Sequence, residues 1–142
     1  MTTRYRVTFE IYDESMEGKI VSSAKILDEA LVEPTNCFDY GMGQENQIAL
    51  IQSVQDNILS AKTRMFINTE GECPECKTNL IKYGKSKSRY YDVFTDHKVQ
   101  IQRLRCDRCG YEAPRSIKGI FQTDTSADLK KIQATLGAEH SY

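Results

Sequence analysis

The chain opens on an alternation. Tyr5, Val7, Phe9 and Ile11 alternate with polar residues over positions 4–12, the period of a strand with one covered face. Residues 13–18 are polar and end in Gly18, which reads as a turn. Residues 19–27 form a weaker second strand, so the pattern predicts an antiparallel hairpin. Residues 28–43 hold Pro34, Gly41 and Gly43 and read as a connection. The period then changes. Ile51, Val54, Ile58, Ala61 and Met65 recur in steps of three and four, which predicts a helix over about residues 44–65. This stripe suits either a short dimer seam or a cover for the hairpin. It lasts only two heptads, and a lone hairpin is marginal in water, so the cover is preferred.

Beyond residue 73 the pattern predicts a longer hairpin. Residues 84–88 read as a flexible positive turn, residues 89–95 as one strand and residues 98–106 as its partner. Val99 and Ile101 share one parity, Leu104 and Cys106 the other, so a bulge is expected near Gln102 and Arg103. Thr125 with Asp128 three residues on resembles a capping box. Leu129, Ile132 and Leu136 then form one helical face, with Gly137 placed for a C-cap. The fold class expected is α+β: an N-terminal β-hairpin and helix over residues 1–70, an antiparallel β ribbon over 71–120, and a C-terminal helix over 121–142. That helix is read either as docking on the ribbon or as the start of a truncated helix-turn-helix.

The chain has 142 residues and 16.2 kDa, room for one ordinary domain or two very small ones. Its purest apolar run, residues 48–51, is far short of the roughly 20 residues that span a bilayer. The first residues lack the apolar core of a signal peptide. A cytoplasmic, reducing location is therefore expected, where five cysteines suit metal ligation better than disulfides. Charge is blocked out along the chain. Residues 1–72 carry 6 Lys and Arg against 12 Asp and Glu, while residues 73–118 carry 11 against 5. The basic block points to a polyanion partner; the acidic front either shields that face or packs against it.

Cys73 and Cys76 form one C-x-x-C pair, and Cys106 and Cys109 a second, 29 residues on. Each pair wraps a tight knuckle that aims two thiolates at one ion. Four thiolates close a tetrahedral shell with no open position, so one structural Zn²⁺ is expected. A thioredoxin-like redox motif needs a single such pair at a helix start. An iron site of rubredoxin type also uses two knuckles, but with its proline knuckle second and in an acidic, Trp-containing chain. Cys37 stands apart and reads as a small buried hydrophobe. His97, between Asp96 and Lys98, reads as a solvated turn residue or a phosphate contact rather than a ligand, and His140 carries no signal.

Between the knuckles, basic residues interleave with tyrosines and serines. Lys85, Lys87, Arg89, Arg103 and Arg105 are the candidate phosphate contacts, and Tyr90 and Tyr91 the candidate sugar or base contacts. Serine hydroxyls of the 84–88 turn are expected to add to them. A solvated basic strand with no nucleic acid partner is the plain alternative.

Residues 73–114 resemble the N-terminal zinc ribbon of bacterial insertion-sequence transposases. The matching positions are Cys73, Pro74, Cys76, Gly84, Lys85, Asp92, Val93, Arg103, Arg105, Cys106, Cys109 and Gly110. Lys77 departs from the pattern, where the family has Gly, and must take a turn conformation that Gly adopts freely. The resemblance implies a non-catalytic module that helps recognise double-stranded transposon-end DNA. The family's acidic catalytic triad lies in a downstream domain, so no catalytic residue is named and the chain is not expected to be an enzyme on its own. The alternative is a stand-alone zinc-ribbon regulator or adaptor, antitoxin-like, that binds a protein partner or a second copy of itself through residues 1–65. No membrane association is expected.

Overall fold

The computed structural model describes residues 2–33 and 40–139. Strand β1 (Arg4–Asp13) and strand β2 (Lys19–Ala30) pair antiparallel; helix α1 covers Gln44–Thr69. Strands β3 (Ile81–Tyr91) and β4 (Asp96–Arg105) form a second antiparallel pair, followed by the short helix α2 (Ile117–Phe121) and helix α3 (Ala127–Glu139). The molecule is thus α+β, with two separate two-stranded sheets. It divides into two compact units, Met1–Asn57 and Ile58–Tyr142, with α1 running through the boundary. Among the described residues, no helix is long and apolar enough to cross a membrane. Cys37 and His140 lie outside the described residues.

In the first unit the alternation of β1 does what its period requires. Val7 faces Leu27, Phe9 faces Ala24 and Ile11 faces Ser22, with register shifts after Val7 and Ile11. The turn closes through Asp13, whose carboxylate accepts the Ser15 N–H at 2.9 Å, while Glu17 and Gly18 both sit at positive φ. Strand β2 runs three residues past the expected end. Its last turn outward is held by Asp28, which meets Arg4 at 3.0 Å, Arg6 at 3.4 Å and Lys25 at 3.6 Å. These pairs are solvent-exposed and add little stability beyond register. Tyr12, Ile20 and Val21 remain exposed.

The second unit holds the main core. Leu59 of α1, Val99 and Ile101 of β4 and Ile117 of α2 pack together, with Ile67, Tyr90 and Ile120 around them. The buried row of α1 is therefore Leu59 and Thr63, continuing toward Ile67; Ile51 and Met65 of the expected stripe are exposed. Thr63 is what hides this row from a hydropathy pattern. It is buried because its hydroxyl donates to Ser60 O at 2.9 Å and needs no water.

The sheet also differs from expectation in where it turns. Residues 84–88 lie inside β3, and the reversal falls after Tyr91, where the Asp92 carboxylate accepts the N–H groups of Phe94 and Thr95 at 2.9 and 3.0 Å. The parity switch is real: His97, Val99 and Ile101 are buried, then Leu104. Its irregularity sits on the partner strand, where Lys82 pairs with Leu104 and Lys85 with Gln102, leaving Tyr83 and Gly84 opposite Arg103 alone. Gly84, at φ 63°, makes that kink without strain.

Helix α2 was not anticipated. Ser116 caps it by accepting the Gly119 N–H at 3.0 Å, which drives Ile117 into full burial. Helix α3 starts one residue later than the pattern suggested. Ser126, not Thr125, is the cap, accepting the Leu129 N–H at 3.1 Å, and Gly137 lies inside the helix. A parallel bridge ties its entrance to β3, with Tyr91 N–H donating to Asp124 O and Ser126 N–H to Tyr91 O, both at 2.8 Å. Ile132 and Leu136 on its apolar face stay exposed.

Candidate metal centre and basic surface

The two C-x-x-C segments fold alike because each places the same backbone bonds at the same offsets. Cys73 N–H donates to Thr78 O at 2.8 Å, and Cys106 N–H to Tyr111 O at 2.7 Å. Lys77 N–H donates to Cys73 O at 2.9 Å, and Gly110 N–H to Cys106 O at 3.1 Å. The residue closing each knuckle is left-handed, Lys77 at φ 59° and Gly110 at φ 78°. Lys77 thus takes the conformation its departure from Gly demanded. Isolated bridges Glu72–Asn79 and Arg105–Glu112 zip the two bases shut in the same way.

The knuckles bring four sulfurs together. The Sγ atoms of Cys73, Cys76, Cys106 and Cys109 all lie within 4.8 Å of one another. Cys73 and Cys109 are 3.5 Å apart, far beyond a disulfide bond, and all four thiols are free. A tetrahedral ion with metal–sulfur bonds of about 2.3 Å needs sulfur–sulfur edges of roughly 3.8 Å, so the cluster has the size to hold one metal ion. Cys73 and Cys106 are buried and Cys109 is exposed, so the group opens to one side.

The backbone prepares the sulfurs for ionisation. Cys76 N–H points at Cys73 Sγ at 3.4 Å. The Thr78 hydroxyl, 3.5 Å from Cys106 Sγ, together with the N–H groups of Cys109 and Arg108, holds the Cys106 thiol down to about 6. The Tyr111 N–H favours the Cys109 thiolate, but the neighbouring sulfurs of Cys76 and Cys73 outweigh it and push that thiol up to about 12. Thiolates this close repel one another. The cluster carries its full negative charge only with a cation among the sulfurs.

The expected phosphate-contact residues separate into two groups. Lys85, Lys87 and Arg89 alternate along β3 and are exposed on one face of it. The serines between them turn the other way. Ser86 donates to Arg115 O at 2.6 Å and Ser88 accepts the Ile117 N–H at 2.9 Å, so both hydroxyls fasten α2 to the sheet instead of facing a ligand. Tyr90 shares that inner side and packs on the core, its ring 6.5 Å from His97; Tyr91 is exposed at the strand end.

Arg103 and Arg105 form the second group, beside the cysteine knuckle. Both guanidinium groups lie over the Tyr83 ring, at 4.4 and 4.9 Å from its centre. The Tyr83 hydroxyl accepts from Arg103 at 3.1 Å and donates to Glu112 at 2.7 Å. That hydrogen bond, helped by Arg115, holds the Glu112 carboxyl below the usual range. Arg103 is half-buried, and its Nε has no hydrogen-bond partner among the described residues. Some of the basic charge is already answered: Arg89 meets Asp96 at 3.5 Å and Arg105 meets Asp107 at 3.7 Å.

His97 is a buried residue, 2% exposed, not a solvated turn residue. Its Nε2 lies 2.6 Å from Asp92 Oδ2. The sequence hid this because its neighbours Asp96 and Lys98 are polar; only strand parity with Val99 and Ile101 places it inward. No family model matches the chain, and no curated protein or solved structure matches it either.

Proposed function

We propose that this protein is a zinc-clipped DNA-binding module, equivalent to the non-catalytic N-terminal part of the transposases it resembles. Cys73, Cys76, Cys106 and Cys109 hold the Zn²⁺, whose role is to fix the two knuckles against each other and so set β3 and β4. The four-thiol donor set suits zinc, and the closed shell leaves no position for substrate. The observation that carries the DNA reading is the exposed row of Lys85, Lys87 and Arg89 on a strand fastened to that cluster. The charge of the unit supports it: residues 58–142 hold 15 Lys and Arg against 10 Asp and Glu. The tyrosine clamp under Arg103 and Arg105 supports their roles as pre-positioned phosphate contacts, since immobilised side chains lose less entropy on binding. The reading assigns no catalytic residue.

The test is duplex binding across a salt series, using terminal-repeat-like and random DNA, with metal content measured on the same sample. One zinc per chain and an affinity that falls steeply with salt support the reading. Absence of duplex binding at low salt overturns it.

A second reading has its own support in the first unit. Tyr12, Ile20, Val21, Leu31 and Val32 are exposed on or beside a two-stranded sheet. An acidic hairpin with so much uncovered apolar surface suits a protein-binding adaptor. DNA-independent co-purification of a partner through residues 1–65 would favour it.

A further inference from the structure

We propose that a groove of ≈ 510 Å³ between the C-terminal half of α1 and the β3–β4 sheet is the seat of a sugar–phosphate backbone. Arg64, Lys82, Lys85 and Lys98 are its phosphate contacts. The inference rests on the DNA reading above and relocates the centre of the interface: three of these four cations were not marked out by the motif.

The groove is cationic on two walls. Arg64 stands on the helix side and Lys82, Lys85 and Lys98 on the sheet side. Among the described residues, no carboxylate lines it. All four cations are exposed, and among the described residues none of them enters an ion pair. Arg89 and Arg105, by contrast, each face an aspartate. Four of the unit's cations outside ion pairs thus line one groove, where a ligand phosphate displaces water rather than a competing carboxylate.

The layout is linear. Lys82 lies opposite Leu104 and Lys98 opposite Arg89, so the sheet wall runs six residues along β4, roughly 20 Å at a strand rise of about 3.3 Å. One strand of B-form DNA carries a phosphate about every 3.4 Å of axis, so the wall spans several successive phosphates. A lone phosphate would use only part of it. Among the described residues, no aromatic ring lines the groove to stack on bases, and the contact is with backbone rather than with unpaired bases. An acidic peptide is disfavoured for a related reason. The apolar lining, Ile67 and Ile101, is half-buried and buried, leaving no pocket for an anchoring side chain.

The experiment uses the full chain with its metal bound. Anisotropy of a fluorescent random-sequence duplex gives the slope of log affinity against log salt. The combined variant Arg64→Gln/Lys82→Gln/Lys98→Gln is compared with the unsubstituted protein and with Lys19→Gln, a single-charge control on the first unit's hairpin. Each lost phosphate contact removes about 0.9 from the slope, so the combined variant is expected to be shallower by about 2–3, with Lys19→Gln unchanged. An unchanged slope in a variant that keeps its metal overturns the groove and leaves the DNA reading standing. Acetylation of the unsubstituted protein reads the same point without mutation: Lys82 and Lys98 should be shielded by duplex. Equal labelling with and without duplex overturns the proposal. Failure of the unsubstituted protein to bind duplex overturns both, and retention of polyglutamate in its place would assign the groove to an acidic protein segment.

Discussion

The imidazole Nε2 of His97 donates to Asp92 Oδ2 across 2.6 Å, joining the first residue of the β-turn to the strand that leaves it. Both side chains are nearly sealed from solvent. Asp92 also accepts the two N–H groups of the turn, so one carboxylate holds the reversal and the buried ring together. Burial works against its charge, but the N–H groups of Thr95 and Phe94 and the His97 ring outweigh it and hold this carboxyl below the usual range. A folded-state value below the unfolded one stabilises at neutral pH, and that stabilisation is lost as pH falls through the folded value. Replacing Asp92 with Asn is expected to cost about 1–3 kcal/mol at pH 7. The gap to the unsubstituted protein should narrow as pH falls below about 4. Urea unfolding at a series of pH values checks both points; a gap that stays open there would contradict them.

The two left-handed knuckle residues predict substitutions of opposite sign. At Lys77, φ 59°, glycine should stabilise by ~0.5–1 kcal/mol, because a Cβ is costly in this region. At Gly110, φ 78°, alanine should destabilise by ~1–2 kcal/mol. Space is not the cause at Gly110, since nothing lies within 4 Å of an added Cβ. Thermal melts of Lys77→Gly and Gly110→Ala should therefore move in opposite directions with metal content unchanged.

Metal retention should depend on pH through the thiols. Cys106, held down to about 6, ionises first, while Cys109, pushed up to about 12, gives up its proton only to a competing cation. Protons and metal compete for the same sulfurs, so affinity falls as pH is lowered from about 8 to 5. Cys73→Ser and Cys106→Ser remove buried ligands and should abolish metal binding, along with the cooperative melting of the second unit. Metal analysis after dialysis, with circular dichroism on the same samples, measures this. A chelator should produce the same loss in the unsubstituted protein.

Tyr83 offers a way to separate ring from hydroxyl. Tyr83→Phe keeps the stack under Arg103 and Arg105 but loses the bonds to Glu112 and Arg103, at a cost of about 0.5–1.5 kcal/mol. Tyr83→Leu also loses the two cation–π contacts, each worth about 0.5–1 kcal/mol near the surface. Denaturant midpoints should fall in the order unsubstituted, Phe, Leu. Equal midpoints for Phe and Leu would show that the ring contributes nothing to the clamp.

The parts of this molecule that were legible in the sequence are those encoded by short spacing. The cysteine pairs carry their own geometry, and so did the strain at Lys77, because a knuckle closes within five residues. The alternation around Tyr5 to Ile11 was equally local. What stayed hidden depends on partners distant in the chain. The buried row of α1 passes through Thr63, a polar residue satisfied by its own helix, so hydropathy steered the reading to Ile51 and Met65 instead. His97 is polar by type and buried by parity. Helix α2 is five residues long, too short for any period, and exists because Ser116 caps it and Ser88 receives its first N–H. No local spacing marks Arg64, and only the fold brings it to one groove with Lys82 and Lys98.

The matching of the two knuckles has a kinetic side. Each is a bidentate arm already closed by its own backbone bonds, so an ion caught by Cys73 and Cys76 meets Cys106 and Cys109 as an intramolecular event. The effective concentration of the second arm is set by the hairpin between them and reaches at least about the millimolar range expected of a short flexible tether. Loss of one sulfur is then reversed before the next can leave. Exchange of the ion should follow the opening of the β3–β4 hairpin rather than the lability of any single metal–sulfur bond, and whatever braces that hairpin should also slow the departure of the metal.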